Sequence, residues 1–322
     1  MNVLSIDGGG IRGIIPAMVL AEIEELTERP ISQCFDLIAG TSTGGLIALA
    51  LSLDSGNGQP KYTAQEVVQL YENRGTEIFD LNMWRKIRTG KGLIEETYTN
   101  TGLRKILEEY FGNSTLKDTL TEVIIPAYET EQRKPWFFKS INAKNPKKRN
   151  RNYRLVDVAL ATSAAPTYFE AHKVEYRGND YLSLIDGGLF ANNPALCAYI
   201  DAKSKFGKKD NEINLVSLGT GQYTRRLMHD EIIDWGLIGW AKPVLSCVFD
   251  GLSDTVDYQL SKILDPNQYF RFQKELTSGS DDMDNVEEEN LRMLKLEGRE
   301  IVNNNKDSID KIKEIICKKN GK

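Results

Sequence analysis

Short apolar runs alternate along this chain with longer stretches in which apolar residues recur every third or fourth position. The first pattern predicts buried strands and the second predicts helices packed on them. Val3-Leu4-Ser5-Ile6 predicts a strand, and Ile14, Ile15, Ala17, Met18, Leu20 and Ile23 predict the helix after it. Pro16 falls in that helix's first turn, where a missing N–H costs little. Phe35, Leu37, Ile38 and Ala39 predict a second strand, and Leu46, Ile47, Ala48, Leu49 and Ala50 a second helix. Beyond a Gly/Asn/Pro loop at Ser55–Pro60, helical spacing covers Ala64–Ile78 and Leu103–Phe111. Val123–Tyr128 and Trp136–Ser140 read as strands around a polar turn at Glu129–Pro135, and Asn214–Leu218 as a late strand.

The last third is helical in pattern. Ile232–Leu252 carries Trp235, Leu237, Ile238, Trp240, Val244, Leu245, Val248 and Phe249, and Pro243 breaks or starts a helix there. The two tryptophans suit a lipid-facing lid or an interfacial helix. Core packing is the competing reading, because large aromatics usually end up buried. After Asp281 the chain turns acidic, then predicts a charged helix over Val286–Val302, a break at Asn303–Asn305, a short helix over Ile309–Cys317 and a basic tail. No repeat or long linker interrupts the chain. The expectation is one domain over 1–275 with a C-terminal helical extension, 276–322, packed on it.

Three glycine-rich turns carry the candidate chemistry. Gly40-Thr41-Ser42-Thr43-Gly44 stands where the second strand becomes the second helix. Its glycines permit a tight turn that holds Ser42 out at the tip, near the positive end of a helix dipole, as a nucleophile requires. Asp7-Gly8-Gly9-Gly10-Ile11-Arg12-Gly13 exposes backbone N–H groups at the start of the first helix, a cradle for a phosphate or a transient oxyanion. Leu184-Ile185-Asp186-Gly187-Gly188 ends an apolar strand in an aspartate that turns at once.

Two other readings attach to these residues. Gly8-x-Gly10-x-x-Gly13 fits a dinucleotide-binding fingerprint, which also wants an acidic residue ending the second strand roughly 20 residues on. The candidates, Glu28 and Asp36, are poorly placed for that. The order Ser42, Asp186, His229 matches an ordinary hydrolase triad, but His229 lies in a polar stretch and not after a short apolar strand. The other histidine, His172, reads as structural or surface.

Composition narrows the class. The chain has 322 residues, 40% of them hydrophobic, and a net charge of −5, which gives no sign of a nucleic-acid partner. Cys34, Cys197, Cys247 and Cys317 are scattered without C-x-x-C spacing and read as reduced thiols of a cytoplasmic protein. Asp282-x-Asp284 lacks the glycine and spacing of a calcium loop, and no metal or other cofactor is expected. No signal-peptide pattern follows Met1, and the longest apolar run, Leu37–Leu53, is interrupted by Gly40–Gly45, so no transmembrane segment is expected. Lys144–Arg154 is strongly basic (Lys147, Lys148, Arg149 and Arg151 among them) and reads as a solvated loop, with anionic headgroups as the minority reading.

Taken in order, Asp-Gly-Gly-Gly-x-Arg-Gly, Gly-Thr-Ser-Thr-Gly-Gly and Asp-Gly-Gly resemble the motifs of the patatin-like phospholipase family. Ala159–Phe169 and Val216–Gly221 fit the same pattern, so the resemblance spans roughly residues 1–275. It implies a three-layer α/β sandwich with a central, mainly parallel sheet flanked by helices. It also implies a Ser–Asp dyad lipid acyl hydrolase, with Ser42 as nucleophile and Asp186 as base. Gly8, Gly9 and Gly10 would form the oxyanion hole with support from Arg12, which could also touch a lipid phosphate. Gly13, Gly40, Gly44, Gly187 and Gly188 complete the motifs. The implied substrate is a glycerophospholipid or related acyl lipid met at a membrane surface, by an enzyme peripherally associated with it. Some relatives in that family are switched on by a ligand or partner.

Overall fold

A computed structural model describes residues 1–78, 84–88, 94–98, 101–177, 180–222, 226–241, 243–280 and 282–318. Strand β1 (Asn2–Ile6) leads through a 3-10 turn at Gly10–Gly13 into α1 (Ile14–Thr27) and α2 (Ile31–Cys34). Strand β2 (Leu37–Gly40) turns into α3 (Thr43–Ser52), and α4 (Ala64–Ile78) follows. A separate antiparallel hairpin, β3 (Trp84–Arg88) with β4 (Ile94–Tyr98), precedes α5 (Thr101–Phe111). Strands β5 (Glu122–Glu129) and β6 (Lys134–Lys139), then α6 (Ser140–Ala143) and α7 (Leu155–Thr162), form the middle of the chain. Next come β7 (His172–Arg177), β8 (Asp180–Asp186), α8 (Gly188–Ala191), α9 (Ala195–Ser204) and β9 (Asn214–Leu218). The last elements are α10 (His229–Ile232), α11 (Leu237–Trp240), α12 (Pro243–Ile263), β10 (Tyr269–Phe272), α13 (Glu288–Asn304) and α14 (Lys306–Lys318).

The main sheet runs β10-β9-β1-β2-β5-β8-β7, with β6 paired to β5. From β10 to β5 every pair is parallel; β5–β6, β5–β8 and β7–β8 are antiparallel. The central strands are buried along their whole length, as a sheet covered on both faces requires. One apolar layer is built on Ile6, Ile11, Ile38, Ile47 and Phe138; the opposite layer, on Val3, Leu37, Ala198, Tyr199, Leu215 and Leu260. The α/β three-layer expectation holds, with the parallel character confined to one half of the sheet.

One feature of the pairing positions the site. Along β5, β6 occupies one edge from Ile124 to Glu129. Both β2 (at Glu122–Ile124) and β8 (at Ala127–Glu129) must therefore lie on the other edge, running toward each other end to end. Strand β2 finishes at Gly40 and β8 at Asp186, which pairs with Ala127. Pro126 sits at the level between them, where the edge has no strand to receive a backbone N–H.

The C-terminal helices cover α1. Gly298 of α13 packs against Met18 and Ile15, and Ile309, Ile312 and Ile316 of α14 join the main core. Glu297, buried, accepts from the backbone and hydroxyls of Thr277 and Ser278 and pairs with Lys274. The basic run forms a 3-10 turn at Pro146–Arg151; just before it Lys144 pairs with Glu122 at the N-terminal end of β5, and at its end Arg151 stacks over Trp136, which pairs with Ala127 on β5. The four cysteines are free thiols, with only Cys34 fully buried. Among the described residues no helix is long and apolar enough to cross a membrane. Part of the basic tail, 319–322, and Asp281 lie outside the described residues.

Candidate active site

Ser42 sits at the tip of the β2–α3 turn with φ 54 and ψ −125, a backbone state that costs a non-glycine residue energy and is kept only where the surroundings enforce it. The surroundings do enforce it. The Ser42 N–H donates to Thr162 Oγ1 at 3.0 Å, and the Thr162 hydroxyl donates on to the Pro126 carbonyl at 2.7 Å. Thr41 Oγ1 donates to the Ala191 carbonyl at 2.7 Å. Gly44 lets α3 lie against β1, since a Cβ there would stand 2.2 Å from the Ile6 carbonyl oxygen. Gly40 abuts the Gly44 carbonyl, and Gly13 abuts Thr43 and Tyr71, whose hydroxyls bond each other.

Asp186 is fully buried at the end of β8. Its Oδ1 accepts from the Gly188 N–H at 2.7 Å, while Oδ2 has no hydrogen-bond partner among the described residues. Burial raises its pKa to about 7, against the opposing pull of the Gly188 N–H and of the Ser42 hydroxyl nearby. Gly187 abuts Pro126, and Gly188 lies under the Phe249 ring. One cleft is lined by Ser42, Thr43, Asp186 and Gly10 together with Leu46, Ser163, Phe169, Phe249 and Met283. The strand ends met in β5 thus deliver Ser42 and Asp186 to the same wall.

The glycine loop faces this cleft, with two departures from expectation. Gly8 gives its N–H to the Asn192 carbonyl at 3.1 Å and is not a free donor. The Gly9 and Gly10 N–H groups have no carbonyl partner among the described residues, and neither does Thr43 at the start of α3. Gly10 takes φ +60, and a Cβ there would meet the Met283 carbonyl at 2.2 Å. Arg12 is buried, not at the surface; its Nε donates to the Gly9 carbonyl and its Nη1 to the Gly221 carbonyl at 3.1 Å. It braces the loop from behind and is placed too deep to reach a lipid phosphate.

Other supports were not anticipated. Asp7 is buried in a two-pronged ion pair with Arg271 of β10, at 2.7 and 3.1 Å, and Arg271 also donates to Ser217. Desolvation pushes the Asp7 carboxyl upward while Arg271 pulls it down. Thr220 donates to the Gly8 carbonyl at 2.9 Å. Thr162 and Thr220 fall in stretches singled out by the sequence pattern; Arg271 carries no local signal.

The competing readings do not survive the geometry. His229 is exposed at the start of α10, and neither carboxylate oxygen of Asp186 bonds a histidine. His172 is buried and bonds Asp157 at 3.1 Å, a structural role. Glu28 ends α1 and Asp36 opens β2, where Asp36 accepts the Asn2 N–H; both lie at the far end of the sheet from the glycine loop, out of reach of a nucleotide ribose there.

Comparison with known proteins agrees with this architecture. The family model described as patatin-like phospholipase matches residues 4–199. "Patatin-like protein 2" of Arabidopsis thaliana is 34% identical, covering 94% of this chain and 83% of that protein. "Patatin-like protein 2" of Oryza sativa subsp. indica is 31% identical over 96% and 85% of the two chains. The Solanum tuberosum protein named "Probable inactive patatin-3-Kuras 1" is 30% identical over 87% and 80%.

Proposed function

The chain belongs to the patatin-like phospholipase family, and from that premise we propose that it is a lipid acyl hydrolase cleaving fatty-acyl esters of glycerophospholipids, of phospholipase A or lysophospholipase type. The observation that carries the reading is the shared cleft of Ser42, in its strained turn, and Asp186, buried with a pKa near neutrality. A relative is named as inactive, so the reading rests on this chain's own residues.

Ser42 Oγ attacks the ester carbonyl while Asp186 takes its proton. A carboxylate of ordinary pKa is a weak base at neutral pH; one lifted to about 7 is matched to the task. The Gly9 and Gly10 N–H groups, joined by Thr43, receive the charge that develops on the carbonyl oxygen. Each such donor is worth roughly 3 kcal/mol of transition-state stabilisation. Arg12, Arg271 and Thr220 hold the loop so that this geometry is in place before substrate arrives. The proton on Asp186 passes to the leaving alkoxide, which departs as an alcohol such as a lysolipid. Water then resolves the acyl-enzyme.

Peripheral association with a membrane is part of the proposal. Leu237 is 93% exposed, Ile233 63% and Met228 53% on the segment around α10 and α11, where Trp235 and Trp240 pack edge to face. This apolar surface leads straight into α12, whose Phe249 lines the cleft. The test is fatty-acid release from mixed phospholipid vesicles with calcium chelated, comparing wild type with Ser42→Ala. Release that vanishes in the variant supports the reading; release that persists removes Ser42 from the mechanism.

A further inference from the structure

Helix α7 ends in two adjacent hydroxyls with opposite fates. Thr162 is fully engaged, accepting from Ser42 and donating to Pro126. Ser163 is 6% exposed, and its Oγ is inaccessible to solvent and has no hydrogen-bond partner among the described residues. Buried polar atoms left in that state are rare in folded proteins and call for a reason. The next residue, Ala164, accepts the Asp186 N–H at 3.0 Å. Ser163 is therefore bracketed in sequence by one residue tied to Ser42 and one tied to Asp186, and it lines the same cleft as both.

A second unpartnered oxygen, Asp186 Oδ2, belongs to that cleft. The Thr43 and Tyr71 hydroxyls bond each other, the Ser42 hydroxyl stands near the Asp186 carboxyl, and much of the rest of the wall (Leu46, Ala165, Phe169, Phe249 and Met283) is apolar. Two polar atoms left without a partner in one largely apolar cleft are where a water finds the two or more partners it needs to be held in place.

We propose that Ser163 is a catalytic residue for deacylation: its hydroxyl, together with Asp186 Oδ2, holds and aims the water that attacks the acyl group on Ser42. This rests on the acyl-hydrolase reading above. The water oxygen bonds the acyl carbon as one of its protons passes to Asp186 Oδ2. The bond between that carbon and Ser42 Oγ then breaks, the proton moves from Asp186 to Ser42 Oγ, and a free carboxylic acid leaves. Acylation uses no water, so Ser163 serves the second half of the cycle and not the first.

The test is pre-steady-state kinetics on the full chain with a chromogenic nitrophenyl ester, alongside intact-mass detection of the acyl-enzyme. Ser163→Ala is expected to keep the initial burst of nitrophenolate and to lose about tenfold in the steady-state rate, the worth of one neutral hydrogen bond. The acyl-enzyme should then accumulate, and Ser163→Thr, which restores a hydroxyl, should recover turnover. Ser163→Gly run in parallel separates loss of the hydroxyl from a packing defect. Equal slowing of burst and steady state, or no change in either, overturns the role of Ser163. A wild type with no Ser42-dependent acyl-enzyme is a different result, and it removes the hydrolase reading itself.

Discussion

The Ser42 N–H and the Thr162 hydroxyl are 3.0 Å apart, and through Thr162 the strained serine turn is tied to the Pro126 carbonyl in the neighbouring strand. Thr162→Val keeps the volume but removes both hydrogen bonds, leaving a buried N–H and a buried carbonyl unpaired. The expected cost is about 1–3 kcal/mol of stability and roughly tenfold or more in kcat, with KM little changed. Thr162→Ser keeps the oxygen and should lose much less. Thermal melts beside ester kinetics read both quantities.

Activity should follow the ionisation of Asp186. As a base it works deprotonated, so with a pKa of about 7 the value of kcat/KM should rise about tenfold per pH unit below that point and level above it. A profile already flat at pH 5 would remove Asp186 as the base.

The same shift sets a stability trend of opposite sense. A carboxyl whose folded pKa is raised binds more protons folded than unfolded, so its burial costs nothing below the unfolded value and costs progressively more as pH climbs toward about 7. Asp186→Asn should therefore raise the melting temperature at pH 8, by up to roughly 4 kcal/mol in stability, and do little at pH 4. An equal effect at both pH values would count against a desolvated anion.

Gly10 and Gly56 both take positive φ, yet they should respond differently to alanine. At Gly56 nothing among the described residues lies within 4 Å of a new Cβ, so the cost is backbone strain alone, about 1 kcal/mol. At Gly10 the Cβ collides with the Met283 carbonyl at 2.2 Å, and the loop must move. Gly10→Ala should abolish ester turnover while Gly56→Ala leaves it near wild type.

The exposed apolar arm can be separated from the chemistry. Leu237→Glu with Ile233→Glu should cut vesicle binding and phospholipid hydrolysis by tenfold or more, each substitution placing a charge on the surface proposed to meet lipid. Turnover of a short, water-soluble ester should hardly change. Flotation with zwitterionic vesicles measures the binding, and undiminished flotation of the double variant would rule this arm out.

Much of the molecule was legible from local pattern. Ala64–Ile78 and Asn214–Leu218 fall where the spacing puts them, because one amphipathic face or one apolar run is enough to specify them. The asparagine break also coincides with the end of α13. Strands β7 and β10 were not legible. His172–Arg177 mixes charge with apolar residues, and Tyr269–Phe272 is only a few residues long; both become strands because a sheet edge is there to pair with. The pair of tryptophans showed a similar limit, since the arm that carries them neither buries its apolar residues nor stays wholly free of contact.

By itself the sequence determined the three turns, because a turn of that tightness admits few residues and is written where it occurs: Gly40 and Gly44 around Ser42, three glycines after Asp7, Asp186 before two glycines. It also pointed to a strand delivering Ser42 and another delivering Asp186. Only the tertiary structure decided that the two strands meet tip to tip along one edge of β5. It alone turned Gly8 toward Asn192, buried Arg12 beneath the loop, and paired Asp7 with an arginine on the last strand of the sheet. The physical reason is range. Steric limits on a turn act within a few residues, whereas the desolvation that lifts Asp186 and the partners that hold the loop come from segments far away in sequence, and exist only once the chain has packed.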